Sequence, residues 1–434
     1  MWIPKIWMSH QEQLMNKDFV TEKNNSFFIE EVDIKIPAEK YGTPLYIYSK
    51  QSILHQISLL QEALSDINHL ICFAVKSNSN LSILNLIKNA GCGFDIVSGG
   101  ELKRVIALGN YDANVVFSGV GKSKEEIEYA LERNILAFNI ESEPELIRLN
   151  NIAKKFAKKA NISIRVNPNV DAKTHPYIST GLKDNKFGLD EKKAIELYSL
   201  AKTMDSINIT GIDCHIGSQL TDLSPFEDTF IKLANMIDRL QTIGIELDHI
   251  DIGGGIGISY KDEKITPLNH YVSMIKKYLS KYNKKIILEP GRLIIGKAGI
   301  LLTKVEYIKR SEHKNFIVID AAMNDLMRPS LYGAHHHVIN ISNPKKGEEI
   351  FDIVGPICET GDFLAKDRQI SASEDDLLAF MDVGAYGFSM SSNYNTRPKI
   401  AEILVDQTDF KLIRQRETFD DLIQHEIEFV NQKK

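Results

Sequence analysis

A lysine closes a short apolar run in Phe73-Ala74-Val75-Lys76-Ser77-Asn78, just before polar turn residues. An ε-amine at the mouth of an apolar segment is partly desolvated, which disfavours the ammonium form and leaves more free amine to condense with an aldehyde. The same hexapeptide also suits a surface lysine at a strand end, its stem on apolar surface and its head in water. Three consecutive glycines in Asp251-Ile252-Gly253-Gly254-Gly255-Ile256-Gly257 follow another apolar run. Without Cβ atoms their N–H groups can close on an anion such as a phosphate, or they form only a tight turn. The G-x-G-x-x-G spacing of dinucleotide sites is absent from this turn. Glu289-Pro290-Gly291-Arg292 joins a strand-terminal carboxylate, a rigid turn and a guanidinium. That set suits a protonated ring nitrogen and a phosphate or carboxylate, or else a structural ion pair. His215-Ile216-Gly217-Ser218-Gln219 puts an imidazole and a hydroxyl at a further strand end, where a satisfied core histidine is the alternative. His335-His336-His337 has a metal-like composition, but neighbours on an extended chain point to opposite sides, and no His-x-x-x-His pattern accompanies them. The expectation is no metal centre.

The elements that must position these residues follow a rhythm. Eight apolar runs lie at Cys72–Val75, Phe94–Val97, Val115–Ser118, Leu136–Ile140, Ile162–Val166, Ile209–His215, His249–Ile252 and Ile286–Glu289. Each has the length of a buried parallel strand. Between them stand windows with apolar residues at three- and four-residue spacing, among them 81–90, 125–133, 143–157, 191–203, 226–243 and 269–279. Eight such alternations in roughly 220 residues predict a (β/α)8 TIM barrel, which takes about 250; an open doubly wound sheet is the other arrangement. Lys76, Asp95, Ser118, Asn139, Arg165, His215, Gly253 to Gly255 and Glu289 stand at or just past the ends of these runs. In a barrel those ends converge on one mouth, where active sites are built.

After Arg292 the helical windows become rare, and alternating segments at 297–307, 316–320, 337–341, 349–354, 378–383 and 401–404 predict a second, all-β domain. A β-rich stretch near Phe27 is expected to join it. The boundaries drawn are 1–44 for an N-terminal segment joining the β domain, 45–292 for the barrel and 293–434 for the C-terminal β domain.

The 434 residues are 43% hydrophobic and 25% charged, as in soluble globular proteins, and the net charge is −6. That balance argues against nucleic acid or an anionic membrane surface as a partner. Four scattered cysteines without CxxC pairs suit reduced thiols in the cytoplasm. Met1 to Met8 is interrupted by Pro4 and Lys5, too short a run for a secretory core.

The quoted blocks share their order with the barrel-type pyridoxal-phosphate decarboxylases, which the chain resembles over about Tyr41 to Glu402. Gly93 to Leu102, Gly355-Pro356-Ile357-Cys358-Glu359 and Asp382-Val383-Gly384-Ala385-Tyr386-Gly387 belong to the same ordered set. Three further blocks resemble the diaminopimelate decarboxylases in particular: His175 to Leu182 running on to Lys186-Phe187-Gly188, Asn324 to Tyr332, and Phe388 to Asn395. The resemblance implies pyridoxal 5'-phosphate as cofactor and Lys76 as the lysine that binds it covalently. It further implies Glu289 on the ring nitrogen, His215 on the ring face, and Asp95 and Tyr386 beside the cofactor. The phosphate would fall to Ser218, to the turn with Gly254 and Gly255, and to Pro290, Gly291 and Arg292. For meso-diaminopimelate as substrate, Arg292, Arg328 and Tyr332 would read the distal carboxylate and Glu359 the distal ammonium, with Tyr386 also touching substrate. Cys358 would donate a proton, although taken alone it reads as an ordinary buried thiol. A homodimer with shared sites is implied, because in the family the Cys-Glu segment comes from the partner subunit. Decarboxylation of ornithine, arginine or carboxynorspermidine, or a non-catalytic cofactor-binding role, are the readings left open. Ser77 and Ser330 stand where relatives often have alanine.

Overall fold

Runs that are apolar on both faces need cover on both faces, and parallel strands with crossover helices supply it. The computed structural model describes residues 19–109, 114–171, 181, 185–265, 267–343, 347 and 349–430. Most of the block His175 to Leu182 lies outside the described residues.

The chain divides into two units, one holding 55–259 and 263–294, the other the described residues up to 54, 260–262 and those from 295 onward. In the second unit the chain starts with a small antiparallel sheet, β1 (Val20–Lys23), β2 (Ser26–Ile29) and β3 (Val32–Asp33), followed by β4 (Leu45–Ser49). The first unit is the barrel, of β5 (His69–Ala74), β6 (Gly93–Ile96), β7 (Val115–Phe117), β8 (Ala137–Ile140), β9 (Ala160–Arg165), β10 (Ile207–Asp213), β11 (His249–Asp251) and β12 (Lys285–Leu288). All pair in parallel and β12 closes on β5, so the (β/α)8 expectation holds and the open sheet does not.

Capping residues mark where several of the following helices begin. Asn80, Ser98, Ser123, Ser142 and Asp190 each accept a backbone N–H of the first turn that follows. Each such cap contributes about 1 kcal/mol and fixes where a loop ends. At Ser123 the bond is reciprocal, with Glu126 reaching back to the Ser123 N–H.

The second unit continues with β13 (Gly299–Lys309), β14 (Asn315–Ile319), β15 (Val338–Asn340), β16 (Ile350–Val354), β17 (Phe363–Gln369), β18 (Leu377–Phe380), β19 (Ala401–Asp406) and β20 (Asp409–Arg414). They form a mixed nine-stranded sheet in the order β17-β16-β14-β13-β4-β19-β20, with β18 and β15 branching from β13. Phe27, Ile29 and Val32 of the N-terminal sheet pack into the same core as Ile47, Leu302, Ile403 and Val405. The boundary at 44/45 needs correcting, since β4 pairs with β13 and with β19 and is no part of the barrel. All five of its residues are buried, so in sequence it looks like a barrel strand. Among the described residues no helix is long and apolar enough to cross a membrane.

Candidate active site

Lys76 lies in the single 3-10 turn Val75–Ser77 directly after β5, anchored by the buried run before it. Its Nζ sits 2.6 Å from Oδ2 of Asp95 at the end of the neighbouring strand β6; the lysine side chain is one-third exposed and the aspartate fully buried. The turn is tight: Ser77 Oγ donates to the Ala74 carbonyl at 2.7 Å. That bond satisfies the Ser77 hydroxyl.

Glu289, just past β12, is buried and accepts from Ser118 Oγ at 3.3 Å; Ser118 in turn accepts from Asn139 Nδ2 at 3.1 Å. Three strand ends thus meet on one hydrogen-bonded chain. Asp213 and Asp251 are direct neighbours across β10 and β11, and carboxylate oxygens of Asp213, Asp251 and Glu289 lie within 4.8 Å of one another, all buried. Burial first, and then the neighbouring carboxylates, push Glu289 and Asp251 well above the carboxylate range, and Asp213 up to about 7. Arg165 lies 3.0 Å from Glu141 and 3.8 Å from Asp213. Sequence reasoning singled out neither Asp213 nor Glu141; the signal available was a carboxylate ending one otherwise apolar strand and another standing just past a second.

His215 is held well below the imidazole range by burial and then by Arg165 and Lys76. Neutral, it accepts the Gly254 N–H on Nδ1 at 3.1 Å, which leaves the proton on Nε2. The glycine turn must be glycine. Gly253 and Gly255 adopt positive φ, and a Cβ on Gly254 would stand 2.2 Å from the Glu289 carbonyl oxygen. Arg292 Nη2 donates to Ser218 Oγ at 3.3 Å, so Ser218 and Arg292 also come together. A Cβ on Gly291 would meet Ser77 at 2.9 Å, which ties the Pro290-Gly291 turn to the lysine turn.

This mouth fits the implied cofactor. An amine stands beside a carboxylate that orients it, the excess of buried carboxylates favours a protonated ring nitrogen, a flat neutral imidazole lies against the glycine turn, and Arg292 meets Ser218.

The remaining expected residues lie in the β unit. Arg328 and Tyr332 open and close the one-turn helix Arg328–Tyr332, and at a spacing of four they share its face. Ser330 on that turn donates to the Gly361 carbonyl at 2.8 Å, so its hydroxyl too is locally satisfied. Cys358 is exposed, contrary to its reading as a buried thiol, whereas Cys72, Cys92 and Cys214 are buried. It follows the sharp Gly-Pro turn after β16, and its N–H donates to Asn395 Oδ1 at 2.8 Å. Glu359, also exposed, accepts from Tyr394 Oη at 2.7 Å. Tyr386 adopts φ 57°, a left-handed conformation uncommon for a bulky residue and typical of functional loops. The triple-histidine run does not converge: His335 Nδ1 faces the Tyr260 carbonyl and His336 Nδ1 that of Met381.

Residues 50–296 match the family of pyridoxal-dependent decarboxylases, pyridoxal binding domain. The chain is 50% identical over 402 residues to a diaminopimelate decarboxylase of Neisseria meningitidis, covering 93% of this chain and 99% of that one. Among solved structures, diaminopimelate decarboxylase from Helicobacter pylori complexed with L-lysine superposes with a TM-score of 0.89 at 43% identity, covering 92% of this chain and 100% of the other. That from M. jannaschii in co-complex with L-lysine gives 0.90 at 42%, covering 95% and 98%. The chain belongs to the pyridoxal-dependent decarboxylases and, within them, to the diaminopimelate decarboxylase family.

Proposed function

We propose that the protein uses pyridoxal 5'-phosphate to decarboxylate meso-2,6-diaminopimelate, releasing carbon dioxide and L-lysine as the last step of lysine biosynthesis. The observation that carries the reading is the Lys76–Asp95 pair beside buried Glu289, in a chain half identical to enzymes named for this reaction. When bound, the cofactor supplies an aldehyde for an amine and an electron-poor ring that accepts the electrons of the broken bond.

The chain's own residues have definable tasks. Lys76 would hold the cofactor through its Nζ, which Asp95 orients. Glu289 would serve the ring nitrogen, where a positive charge would draw the glutamate back to its ionised form. Neutral His215 would cover the ring face. The turn at Gly254 and Gly255, Ser218 and the backbone and side chain at Pro290 to Arg292 would take the phosphate. At the substrate's far end Arg328, Arg292 and Tyr332 bind the carboxylate, and Glu359 binds the ammonium. Cys358 Sγ gives up the proton that replaces the departing carboxylate, and Tyr386 bounds the space in which this happens. The reading includes a cytoplasmic homodimer in which Cys358 and Glu359 serve the partner's barrel.

Two measurements test it. Purified protein with cofactor should release carbon dioxide from meso-diaminopimelate and far less from ornithine or arginine; equal kcat/KM on ornithine would replace the substrate. Lys76→Ala should lose the visible absorbance of covalently held cofactor, and wild-type absorbance in that variant would sink the covalent role.

A further inference from the structure

A guanidinium reads a carboxylate bidentately only if its plane is held in place. Arg328 is 6% exposed at the start of its helical turn, and its Nη1 lies 2.9 Å from Nε2 of His336. His336 is fully buried, with Nδ1 2.8 Å from the Met381 carbonyl oxygen. The two contacts leave one tautomer. A carbonyl only accepts, so Nδ1 carries the proton; a guanidinium only donates, so Nε2 is bare. His336 is therefore a neutral acceptor whose ring cannot flip without losing both bonds.

A second side chain completes the arrangement. The Tyr260 ring lies under the guanidinium, 4.6 Å from Arg328 Cζ to the ring centroid, and meets the His336 ring edge-on at 5.4 Å and 81°. Arginine, imidazole and phenol form a closed triangle. Its backbone is tied on both sides, since the Tyr260 carbonyl engages His335 Nδ1 at 3.2 Å and the His336 carbonyl accepts from Arg368 Nη2 at 3.2 Å.

We infer that His336 and Tyr260 are positioning residues that hold the Arg328 guanidinium for the substrate's distal carboxylate, so that selection of a dicarboxylate depends on a histidine and a tyrosine that act through the arginine. The chemistry of the two holders is what suits them to this. A carboxylate partner would compete with the substrate for the same N–H fork, whereas an imidazole nitrogen and a ring face fix the fork and leave its charge in place. The inference rests on the reading of Arg328 given above.

The test compares wild type with Arg328→Met, His336→Phe, His336→Gln and Tyr260→Leu, by KM and kcat on meso-diaminopimelate and by affinity for L-lysine, which keeps the distal amino-acid head. Arg328→Met should raise KM by about a hundredfold, His336→Phe by about tenfold and Tyr260→Leu by a few-fold. In the last two variants kcat should stay within about threefold and the cofactor absorbance should be unchanged. His336→Gln, whose amide oxygen can accept the Arg328 N–H, should recover most of the lost affinity. If Arg328→Met weakens both ligands while His336→Phe and Tyr260→Leu leave KM and lysine affinity unchanged, the positioning role is refuted. An Arg328→Met variant with unchanged affinities would instead refute the reading of Arg328 itself. Equal loss of kcat and cofactor retention at constant KM would mark His336 as a general packing residue and also overturn the inference. Should His336→Phe not fold, the Gln and Tyr260 variants decide.

Discussion

At the scale of residues, the barrel interior is defined by a surplus of acid. Asp95, Glu141, Asp213, Asp251 and Glu289 are buried there, while Lys76 and Arg165 are the cations placed against them. Asp251 Oδ1 accepts the Gly253 N–H at 2.9 Å, and its Oδ2, which has no hydrogen-bond partner among the described residues, belongs to a cluster with the Asp213 and Glu289 carboxyl groups. A cofactor with a protonated ring nitrogen would relieve the same imbalance. On the proposed reading the distal ammonium is met elsewhere, by the exposed side chain of Glu359. Glu359→Gln keeps size and polarity but removes the charge offered to a distal ammonium. It should lower kcat/KM on meso-diaminopimelate about 10- to 100-fold, and the preference over monoamino analogues should shrink with it. Steady-state kinetics on both substrates check this, and an unchanged preference would assign the ammonium to another group.

At the scale of elements, the helix Gly99–Ile106 shows how a strand end is stabilised and what that costs. Ser98 caps it, and Glu101 Oε2 turns back to accept the Val97 N–H at 2.7 Å. Burial, with Asp95 adding to it, pushes Glu101 up to about 7 from an ordinary 4.5. The folded chain thus holds this proton to higher pH than the unfolded chain does. The group favours folding most below about pH 4.5, and that advantage is lost as pH rises through about 7. Glu101→Gln, neutral throughout, should be more stable than wild type by roughly 1–3 kcal/mol at pH 8 and indistinguishable near pH 4. Urea unfolding at the two pH values tests it; a loss of equal size at both would mean that the carboxylate is well solvated. The eight barrel strands were legible in the sequence because each is a short apolar run, and amphipathic helical windows alternate with the runs. The helix from Gly99 escaped the periodicity reading, since it opens on two glycines. β17 escaped because the charged run Lys366, Asp367 and Arg368 interrupts its apolar pattern. Strand-end residues could be expected to converge, whereas Asp213 beside Asp251, or His336 beside Arg328, are pairings that no local spacing encodes.

At the scale of the whole molecule, the exposure of Cys358 and Glu359 suits residues that serve a second copy of the chain. Mixing inactive Lys76→Ala and Cys358→Ala proteins under subunit exchange should regain about a quarter of wild-type activity, because half the dimers would be mixed and each would hold one intact site. A mixture that stays inactive after exchange, verified by mass spectrometry of differently tagged subunits, would place each site within one subunit. The β unit carries a different consequence, one of timing. β4 lies between β13 and β19, and its partner Ala401 is about 350 residues downstream of Leu45. During synthesis this five-residue strand emerges before the barrel; β13 can cover one of its edges once the barrel has been made, but the other edge waits for Ala401 and its neighbours. A ribosome that stalls between the last barrel strand and Ala401 therefore displays a sheet centre without its flank, and the length of the stall sets how long that sticky edge stays uncovered.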